Sequence, residues 1–299
     1  MGYKSIIKNR SYRFIILHKL SWVPDSVMVR LQYRIKLGHW PNLKNPKRFM
    51  EKIQLYKIKY CNPILPHCVD KYDVREYVTK KGLNDILVEC YAVYESAEDF
   101  KIEDLPNKFV AKSTTGGGGL NVLIVRDKAN LDVQKIKRCA ANWTKPRPHR
   151  PSSGREWAYK EIHKNRMIIE EYLEDPSQND LVDYKFFCFD GKPYCVQLDS
   201  NRQNDHHQNY YDTNWKSLGV HCSYPEGPLV PKPLNFEKML EVASILSKDF
   251  PFVRVDLYNV NGKIYFGELT FYPTSGYGKF TPDSFDYELG KQFNVSSFK

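Results

Sequence analysis

Two short stretches near the end of the chain decide how it is interpreted: 253–257 (VRVDL) and 266–270 (FGELT). Each alternates apolar residues with charged or polar ones, which predicts β-strands with one face on a core. Burying an arginine and two carboxylates without partners would cost several kcal/mol for each group. Asp256 and Glu268 are hard oxygen ligands of the kind that Mg²⁺ prefers, and Arg254 suits a phosphate. The two stretches therefore predict a site for a nucleoside triphosphate.

The segment between them, YNVNGKI, contains an Asn-Gly pair and predicts a β-hairpin. A two-residue turn would send the side chains of Asp256 and Glu268 to opposite faces. A three-residue loop instead pairs Arg254 with Glu268 and brings all four polar groups, Thr270 included, to one face. We therefore expect a loop of odd length, with Gly262 left-handed and forming a bulge. The alternative is a surface hairpin whose polar residues face water.

Composition places the 299-residue chain among globular proteins, with 27% charged and 41% hydrophobic residues. The seven cysteines are odd in number and none forms a C-x-x-C, so we expect reduced thiols, no zinc site and a cytoplasmic location. No cleavable signal peptide and no membrane-spanning apolar run is evident.

Charge is concentrated at the beginning of the chain. Residues 1–60 contain 14 Lys or Arg and two acidic residues, a balance of +12 against +10 for the whole chain. Apolar runs interrupt the basic residues, so an amphipathic helical segment is expected. It could lie on an anionic membrane at the inner face, or bind another anionic polymer; nucleic acid is not expected. The alternative is a solvated helical cap over the core.

A second candidate for phosphate binding is the run 113–119 (STTGGGG), directly after Lys112. Small residues let backbone N–H groups approach phosphate oxygens, and the lysine adds a positive charge. The run is neither a P-loop nor a dinucleotide-binding fingerprint, because it lacks G-K-[ST] and a strand rather than a helix is predicted after it. A flexible loop is the alternative.

The order of these features resembles the ATP-grasp superfamily, and more closely the TupA-like ATP-grasp family of bacterial surface-polysaccharide and teichuronopeptide gene clusters. The residues that carry the resemblance are Lys71 in 69–71, Lys112 with its glycine-rich loop, 170–173 (EEYL), Arg254 with Asp256, Glu268 with Thr270, 49–54 (FMEKIQ), 70–75 (DKYDVR), 183–191 (DYKFFCFDG) and 267–271 (GELTF).

The resemblance implies an α+β ATP-grasp fold in which two α+β lobes grip ATP, after an N-terminal basic helical extension. The expected divisions are a basic helical segment (1–65), a pre-grasp region (66–106), a small lid lobe (107–173) and a large lobe with the metal site (174–299).

The resemblance also assigns roles. Phosphates would be held by Lys71, Lys112 and the loop of Gly116, Gly117, Gly118 and Gly119. Adenine would meet Glu170, Glu171 and Leu173 at the hinge, and ribose would meet Asp183. Lys185 would reach the γ-phosphate or an acyl phosphate, and Arg254 would stabilise the transferring group. Mg²⁺ would be bound by Asp256, Glu268 and Thr270, where the family usually has Asn in place of this threonine.

By the same resemblance we expect a carboxylate–amine ligase that uses ATP and Mg²⁺. The acceptor would be an anionic glycan, free or lipid-linked, whose uronic acid is joined to an amino acid or amino sugar; the reverse assignment fits equally well. Substrate-site candidates are Arg202, His206, Tyr211, Trp215 and Ser275. A glycosyltransferase, a kinase and a nucleotide-binding scaffold remain as alternatives, and core packing or an exposed loop is the alternative for the aromatic residues.

Overall fold

The computed structural model describes residues 10–116, 121–146, 152–175, 181–200 and 206–298. They form two main antiparallel sheets, each backed by its own hydrophobic core. Among these residues, no helix combines the length and the apolar character needed to cross a bilayer. The described helices before the first sheet are α1 (Arg10–Lys19), α2 (Asp25–Leu37), α3 (Phe49–Lys59), α4 (Leu65–Val69) and α5 (Val74–Lys80).

Local chemistry sets the ends of the N-terminal helices. The helix α2 ends at Gly38, which takes a left-handed φ of 87° and donates its N–H to the Arg34 carbonyl. The helix α3 begins beside Glu51, whose carboxylate accepts the N–H groups of Lys47 (3.0 Å) and Arg48 (3.1 Å). The helical character expected for 1–65 is confirmed from residue 10 onward, residues 1–9 lying outside the described residues, whereas the four domain boundaries stay predictions.

The smaller sheet has the order β1-β4-β2-β3. One of its faces packs on α6 (Val133–Trp143) through Ile136 and Ala140. The other face carries Lys112 and Glu170, which sit on the same side because Lys112 pairs with Ile168, two residues before Glu170. The sheet thus presents charge on the side away from its core. Its strands are β1 (Cys90–Tyr94), β2 (Phe109–Ser113), β3 (Val122–Val125) and β4 (Met167–Glu170).

The larger sheet has the order β10-β9-β5-β6-β7, and a two-stranded sheet of β8 and β11 lies beside it. Its strands are β5 (Asp183–Phe189), β6 (Lys192–Ser200), β7 (His207–Asp212), β9 (Phe252–Val260) and β10 (Lys263–Thr270). The short strands are β8 (His221–Cys222) and β11 (Phe280–Thr281), and the remaining helices are α7 (Trp157–Lys160), α8 (Phe236–Ser247) and α9 (Ser284–Gln292).

Helices cover the larger sheet unequally. On one face α8 packs across the central strands, where the ring of Phe236 stacks on Phe186 with centroids 6.0 Å apart. On the other face, α3 covers one end of the sheet through Phe49, whose ring centroid lies 4.9 Å from that of Phe252 and 6.1 Å from that of Phe187. Each buried ring contributes about 1.5–3 kcal/mol. The polar residues of this face occupy the end that α3 leaves uncovered.

The predicted three-residue loop between β9 and β10 is wrong. The turn has two residues, Asn261 (φ 51°) and Gly262 (φ 82°), because Lys263 pairs with Val260. The left-handed conformation expected for Gly262 is confirmed, but the bulge lies elsewhere, at Gly267, where the register shifts by one residue.

This bulge restores the alignment that the loop was expected to produce. After it, Glu268 pairs with Asp256 and Thr270 with Arg254, so all four polar side chains do share one face. Gly267 fits the bulge because a Cβ there would lie 2.9 Å from the Asp256 carbonyl oxygen.

Candidate functional site

A row of polar side chains crosses the larger sheet from one edge to the other. Strand pairing places Glu268 beside Asp256, Asp256 beside Lys185, Lys185 beside Gln197, and Gln197 beside Tyr210. Directly paired residues project to the same face, so one position on each of the five strands contributes to this row. Backbone register therefore holds the metal-ligand candidates next to Lys185.

Arg254 is locked onto Asp256. Its Nε donates to Asp256 Oδ1 at 2.7 Å and its Nη2 donates to Oδ2 at 2.6 Å, a bidentate pair with both side chains buried. The same Nη2 donates to Thr270 Oγ1 at 3.1 Å, and the Thr270 hydroxyl donates to Glu268 Oε1 at 3.0 Å. The arginine and its neighbours are thus held rigidly in place before any ligand arrives.

The two carboxylates of the hairpin differ in environment. The Asp256 side chain is only 3% exposed, and burial raises its pKa to about 7 against the opposing pull of Arg254 and Lys185. The Glu268 side chain is 42% exposed. Its partial removal from water would raise its pKa, but the nearby cations Lys71 and Arg254 lower it. A divalent cation here would favour the ionised form of both groups.

Lys185 lies at the centre of a buried ion cluster. Its Nζ donates to Asp183 Oδ2 at 2.6 Å and also bonds Asp199 Oδ2. Burial works to lower the pKa of Lys185, but the two aspartates raise it, and the lysine in turn lowers the pKa of Asp199 despite its burial. Gln197 completes the cluster by donating to Asp199 Oδ1 at 3.0 Å.

Asp199 is a site residue that our interpretation of the sequence missed. The alternation of Gln197 and Asp199 in β6 was the available signal. A bulge at Tyr194 in β6 shifts the register by one residue and thereby places Asp199 opposite Asp183. A two-residue turn at 190–191 would otherwise pair Asp183 with Leu198, so the turn alone could not reveal the cluster.

Lys71 links the hairpin to the glycine-rich loop. Its Nζ lies 3.9 Å from Glu268 Oε2 and bonds the Gly116 carbonyl, while its backbone N–H donates to the Thr114 carbonyl at 2.9 Å. Gly117, Gly118 and Gly119 lie outside the described residues. The loop thus begins within reach of the metal-ligand candidates, as the resemblance implies.

The smaller sheet contributes a second charged pair. Lys112 Nζ contacts Glu170 Oε2 at 2.7 Å, and Arg75 Nη1 lies 3.5 Å from the other oxygen of the same carboxylate. The Glu171 N–H donates to the Glu89 carbonyl at 2.9 Å, and Leu173 is half-buried just beyond β4. The Glu170 carboxylate therefore holds Lys112 in place, while the groups expected to meet adenine, the Glu170 carbonyl and the Leu173 N–H, stay a prediction.

The oxygen atoms of Asp256, Glu268 and Thr270 suit a Mg²⁺ ion that is also bound by a nucleotide, rather than a metal ion bound by protein side chains alone. The described part of the chain contains no cluster of three or more His, Cys, Asp or Glu side chains that could hold a metal. Asp256 and Glu268 are nevertheless paired across the bulge, with the Thr270 hydroxyl beside them. Two carboxylates that leave places for phosphate oxygens and water match the coordination of Mg²⁺ with a nucleotide.

The substrate-site candidates are dispersed. The Tyr211 ring is buried and stacks on Trp215 with centroids 4.5 Å apart, while Trp215 Nε1 donates to the Val230 carbonyl. These rings pack in the core, so Tyr211 presents no face to a sugar. Ser275 Oγ donates to Glu156 Oε1 at 2.6 Å. Arg202 lies outside the described residues.

His206 is the substrate candidate that the structure places beside the ion cluster. Its Nε2 lies 3.3 Å from Asp199 Oδ1, and its ring stacks on Tyr224 with centroids 3.7 Å apart. Asp199 therefore connects His206 with Lys185, which belongs to the row of polar groups.

Comparison with solved structures finds ATP-grasp ligases. D-alanine–D-alanine ligase from Bacillus anthracis is 17% identical, with 68% of this chain and 57% of that chain covered and a TM-score of 0.43. The Helicobacter pylori D-alanine–D-alanine ligase is 14% identical, with 76% and 61% covered and a TM-score of 0.42. L-amino acid ligase from Bacillus licheniformis is 16% identical, with 72% and 44% covered and a TM-score of 0.40. The matched part is less than two thirds of each of these proteins.

A comparison with curated proteins found no match. The sequence model of the family described as TupA-like ATPgrasp matches residues 51–294, which is most of the chain. The predicted ATP-grasp ligase fold, with two sheets in α+β lobes, is therefore confirmed. The chain belongs to the TupA-like ATPgrasp family.

Proposed function

We propose that this protein is an ATP-dependent carboxylate–amine ligase that acts on an acidic glycan. The observation that carries the proposal is the shared face of Arg254, Asp256, Glu268 and Lys185, with Lys71 joining it to the glycine-rich loop. Among the described residues of this site, four carboxylates face three cations, an excess of negative charge that favours binding of a further cation with the nucleotide. The carboxylates are those of Asp183, Asp199, Asp256 and Glu268, and the cations are Lys71, Lys185 and Arg254. Positioning and charge neutralisation are the main requirements of phosphoryl transfer.

The chemistry would proceed in two steps. An oxygen of the acceptor carboxylate attacks the γ-phosphorus of ATP, and the bond between that phosphorus and the bridging oxygen of the β-phosphate breaks. ADP is released and the acceptor becomes an acyl phosphate. The amine nitrogen then attacks the acyl carbon, loses a proton, and expels phosphate to form the amide. Mg²⁺, when bound by Asp256 and Glu268, would supply neutralisation of phosphate charge.

Residues of this chain provide the remaining stabilisation. Arg254 is fixed by two bonds to Asp256 and one to Thr270, and its Nη2 lies 3.7 Å from Glu268 Oε1. The guanidinium would therefore meet the charge on the transferring group without reorganising. Lys185, held between Asp183 and Asp199, would keep its ammonium charge beside the same group. Lys71, 3.9 Å from Glu268, and Lys112 on the smaller sheet would bind the remaining phosphates.

The acceptor is proposed on charge. Residues 1–60 carry a balance of +12, which suits an anionic glycan or its lipid-linked precursor. A uronic acid would supply the carboxylate and an amino acid or amino sugar the amine, or the two roles would be reversed. A cytoplasmic location with nucleotide supply is part of the proposal.

The test is ADP release from ATP and Mg²⁺ with a panel of uronic acids, with and without amino acids, for the wild type and Glu268→Gln. Glu241→Gln, on the exposed surface of α8, is the matched control for the same chemical change. The proposal expects release that needs both an acid and an amine, is lost in Glu268→Gln and persists in the control. A stable phosphorylated product without an amine would indicate a kinase, and turnover of a UDP-sugar without ATP would indicate a glycosyltransferase.

A further inference from the structure

A cavity of about 400 Å³ lies at the C-terminal end of α2, beside β8 and β11. This volume falls within the range of small-molecule sites. Its lining includes Lys36, His221, Ser223, Tyr224, Tyr277 and Lys279. None of the described residues that line it is acidic, whereas two are lysines. The cavity therefore combines positive charge, hydroxyl groups and aromatic rings.

The aromatic wall of the cavity is held in place from behind. The Tyr277 hydroxyl donates to Gln32 Oε1 at 2.7 Å, and the buried Lys57 ammonium lies 4.3 Å from the Tyr277 ring centroid. Lys36 Nζ lies 3.7 Å from the same centroid. The Lys36 ammonium is thus held over the face of the Tyr277 ring, where it can pair with the negative group of a sugar.

The opposite wall connects the cavity to the phosphoryl-transfer site. Tyr224 stacks on His206, and His206 contacts Asp199, which bonds Lys185. None of the cavity residues belongs to the row of polar groups that would hold Mg²⁺ and ATP. An anion in the cavity would thus be a different group from the reacting carboxylate, linked to its site through Tyr224, His206 and Asp199.

We propose that this acidic-sugar cavity binds a neighbouring anionic sugar of the glycan acceptor, next to the sugar whose carboxylate is activated. The anion would be a uronate carboxylate or a sugar phosphate, paired with Lys36 and Lys279, and the sugar ring would pack on the exposed Tyr224. This inference rests on the proposed function for the acceptor's role, but the binding itself does not require ATP.

Calorimetric titration without ATP tests the cavity with three probes: a glucuronic acid disaccharide, glucose 1-phosphate and neutral galactose. The Lys36→Gln/Lys279→Gln double variant should weaken binding of the acidic probe by about tenfold, since two charged contacts are lost. Lys192→Gln/Lys263→Gln removes two exposed lysines at the turns of the larger sheet and should leave the affinity unchanged. The two acidic probes distinguish carboxylate from phosphate.

Two results would overturn the inference: equal affinity in both double variants, or galactose binding as tightly as the acidic probes. A separate ATP titration keeps the two proposals apart. If an acidic probe binds in the cavity but ATP does not bind, the proposed function fails and the cavity assignment stands. If ATP turnover occurs but neither acidic probe binds, the cavity assignment fails and the proposed function stands.

A second surface supports an independent proposal. Three apolar residues on α2 face outward at a four-residue spacing: Val27 (44% exposed), Leu31 (41%) and Ile35 (57%). The exposed Arg30 and Arg34 border this stripe. The residues of α2 that face inward, Met28, Val29, Gln32 and Tyr33, are buried. The helix therefore packs on the protein with one side and presents an apolar, basic side to its surroundings.

We propose that this α2 stripe contacts an anionic membrane surface. The basic balance of the first 60 residues complements anionic lipid, and the apolar stripe would enter the headgroup boundary. Trp22, 79% exposed just before the helix, suits the same interface. Charge selects the membrane over a second copy of the chain, because two basic faces repel.

Sedimentation with phosphatidylglycerol vesicles and with neutral phosphatidylcholine vesicles tests this proposal. Arg30→Gln/Arg34→Gln should weaken binding to the anionic vesicles by about 25-fold, and Val27→Ser/Leu31→Ser/Ile35→Ser should weaken it to a similar degree. Ile124→Ser, at a residue 47% exposed on β3, is the matched control. Unchanged vesicle binding in either set of variants, or self-association that the triple variant abolishes without any vesicle binding, would overturn the proposal.

Discussion

Replacing Gly267 by alanine tests whether the bulge in β10 builds the metal-ligand pair. A Cβ at this position would lie 2.9 Å from the Asp256 carbonyl oxygen and 3.3 Å from Tyr258 Cε2, whereas ordinary contacts begin at 3.4 Å. The obstruction is backbone, so the two strands must separate by roughly 0.5 Å at the point where Asp256 pairs with Glu268.

We expect Gly267→Ala to lower the free energy of unfolding by about 1–3 kcal/mol, the usual range for overpacking. The displacement is also large enough to misplace the ligands, so the rate of ADP release should fall about tenfold and need more Mg²⁺. Urea unfolding measures the first effect, and ADP release against Mg²⁺ concentration measures the second.

Gly262→Ala is the matched control for this variant. It introduces the same methyl group in the same hairpin, at a residue with φ 82° and no atom within 4 Å of the new Cβ. It should cost about 1 kcal/mol of stability through backbone strain, with the Mg²⁺ dependence unchanged. If Gly267→Ala alters stability no more than this control and leaves the Mg²⁺ dependence intact, the role assigned to the bulge is refuted.

Three further substitutions give separate predictions. Lys185→Met leaves the carboxylates of Asp183 and Asp199 without their shared lysine. It should lower the free energy of unfolding in urea by about 3–5 kcal/mol, and adding Asp199→Asn should recover part of this loss. A loss below about 1 kcal/mol would contradict the role of Lys185 in holding the two aspartates together. Burial lowers the pKa of Lys57 from 10.5 to about 7, so the unfolded chain holds the extra proton above pH 7. Stability should therefore rise by about 1.4 kcal/mol per pH unit between pH 7 and 10, and this group should contribute no further change below pH 7, where both states hold the proton. Lys57→Met should remove this slope, and an equal slope in the wild type and the variant would contradict the prediction. Lys112→Met should raise the KM for ATP about tenfold, because it removes a charge expected to bind phosphate. Stability should change little, because the Lys112 side chain is 23% exposed and Glu170 keeps its contact with Arg75. An unchanged KM would argue against phosphate binding by Lys112.

The hairpin shows which part of this site could be predicted from sequence. Alternation correctly identified Arg254, Asp256, Glu268 and Thr270 as polar positions in two strands, and the shared face followed from requiring that the charges meet. The route to that face was wrong, because the turn is shorter and a bulge at Gly267 makes up the missing residue. A bulge depends on contacts with the neighbouring strand, and periodicity along one strand carries no information about them.

The ion cluster around Lys185 shows the same limit. Lys185 and Asp183 were predicted through family resemblance, but Asp199 joins them only because of a second bulge, at Tyr194. The strand β7 was also absent from the sequence interpretation: its burial comes from pairing with β6. Its own sequence, HQNYYD, has no clear period. Tyr211 was predicted as a substrate-site residue for the same reason, since its position in the core depends on partners distant in sequence.

The proposed phosphoryl-transfer site requires Asp256 and Glu268 to hold a divalent cation together with the nucleotide. Electron paramagnetic resonance of Mn²⁺, titrated with ATP into the wild type, Asp256→Asn and Glu268→Gln, measures this binding without depending on the unknown acceptor. We expect a ternary Mn²⁺–ATP complex in the wild type and at least about tenfold weaker binding of Mn²⁺ in each variant. Equal affinity of Mn²⁺–ATP for all three proteins would contradict this expectation.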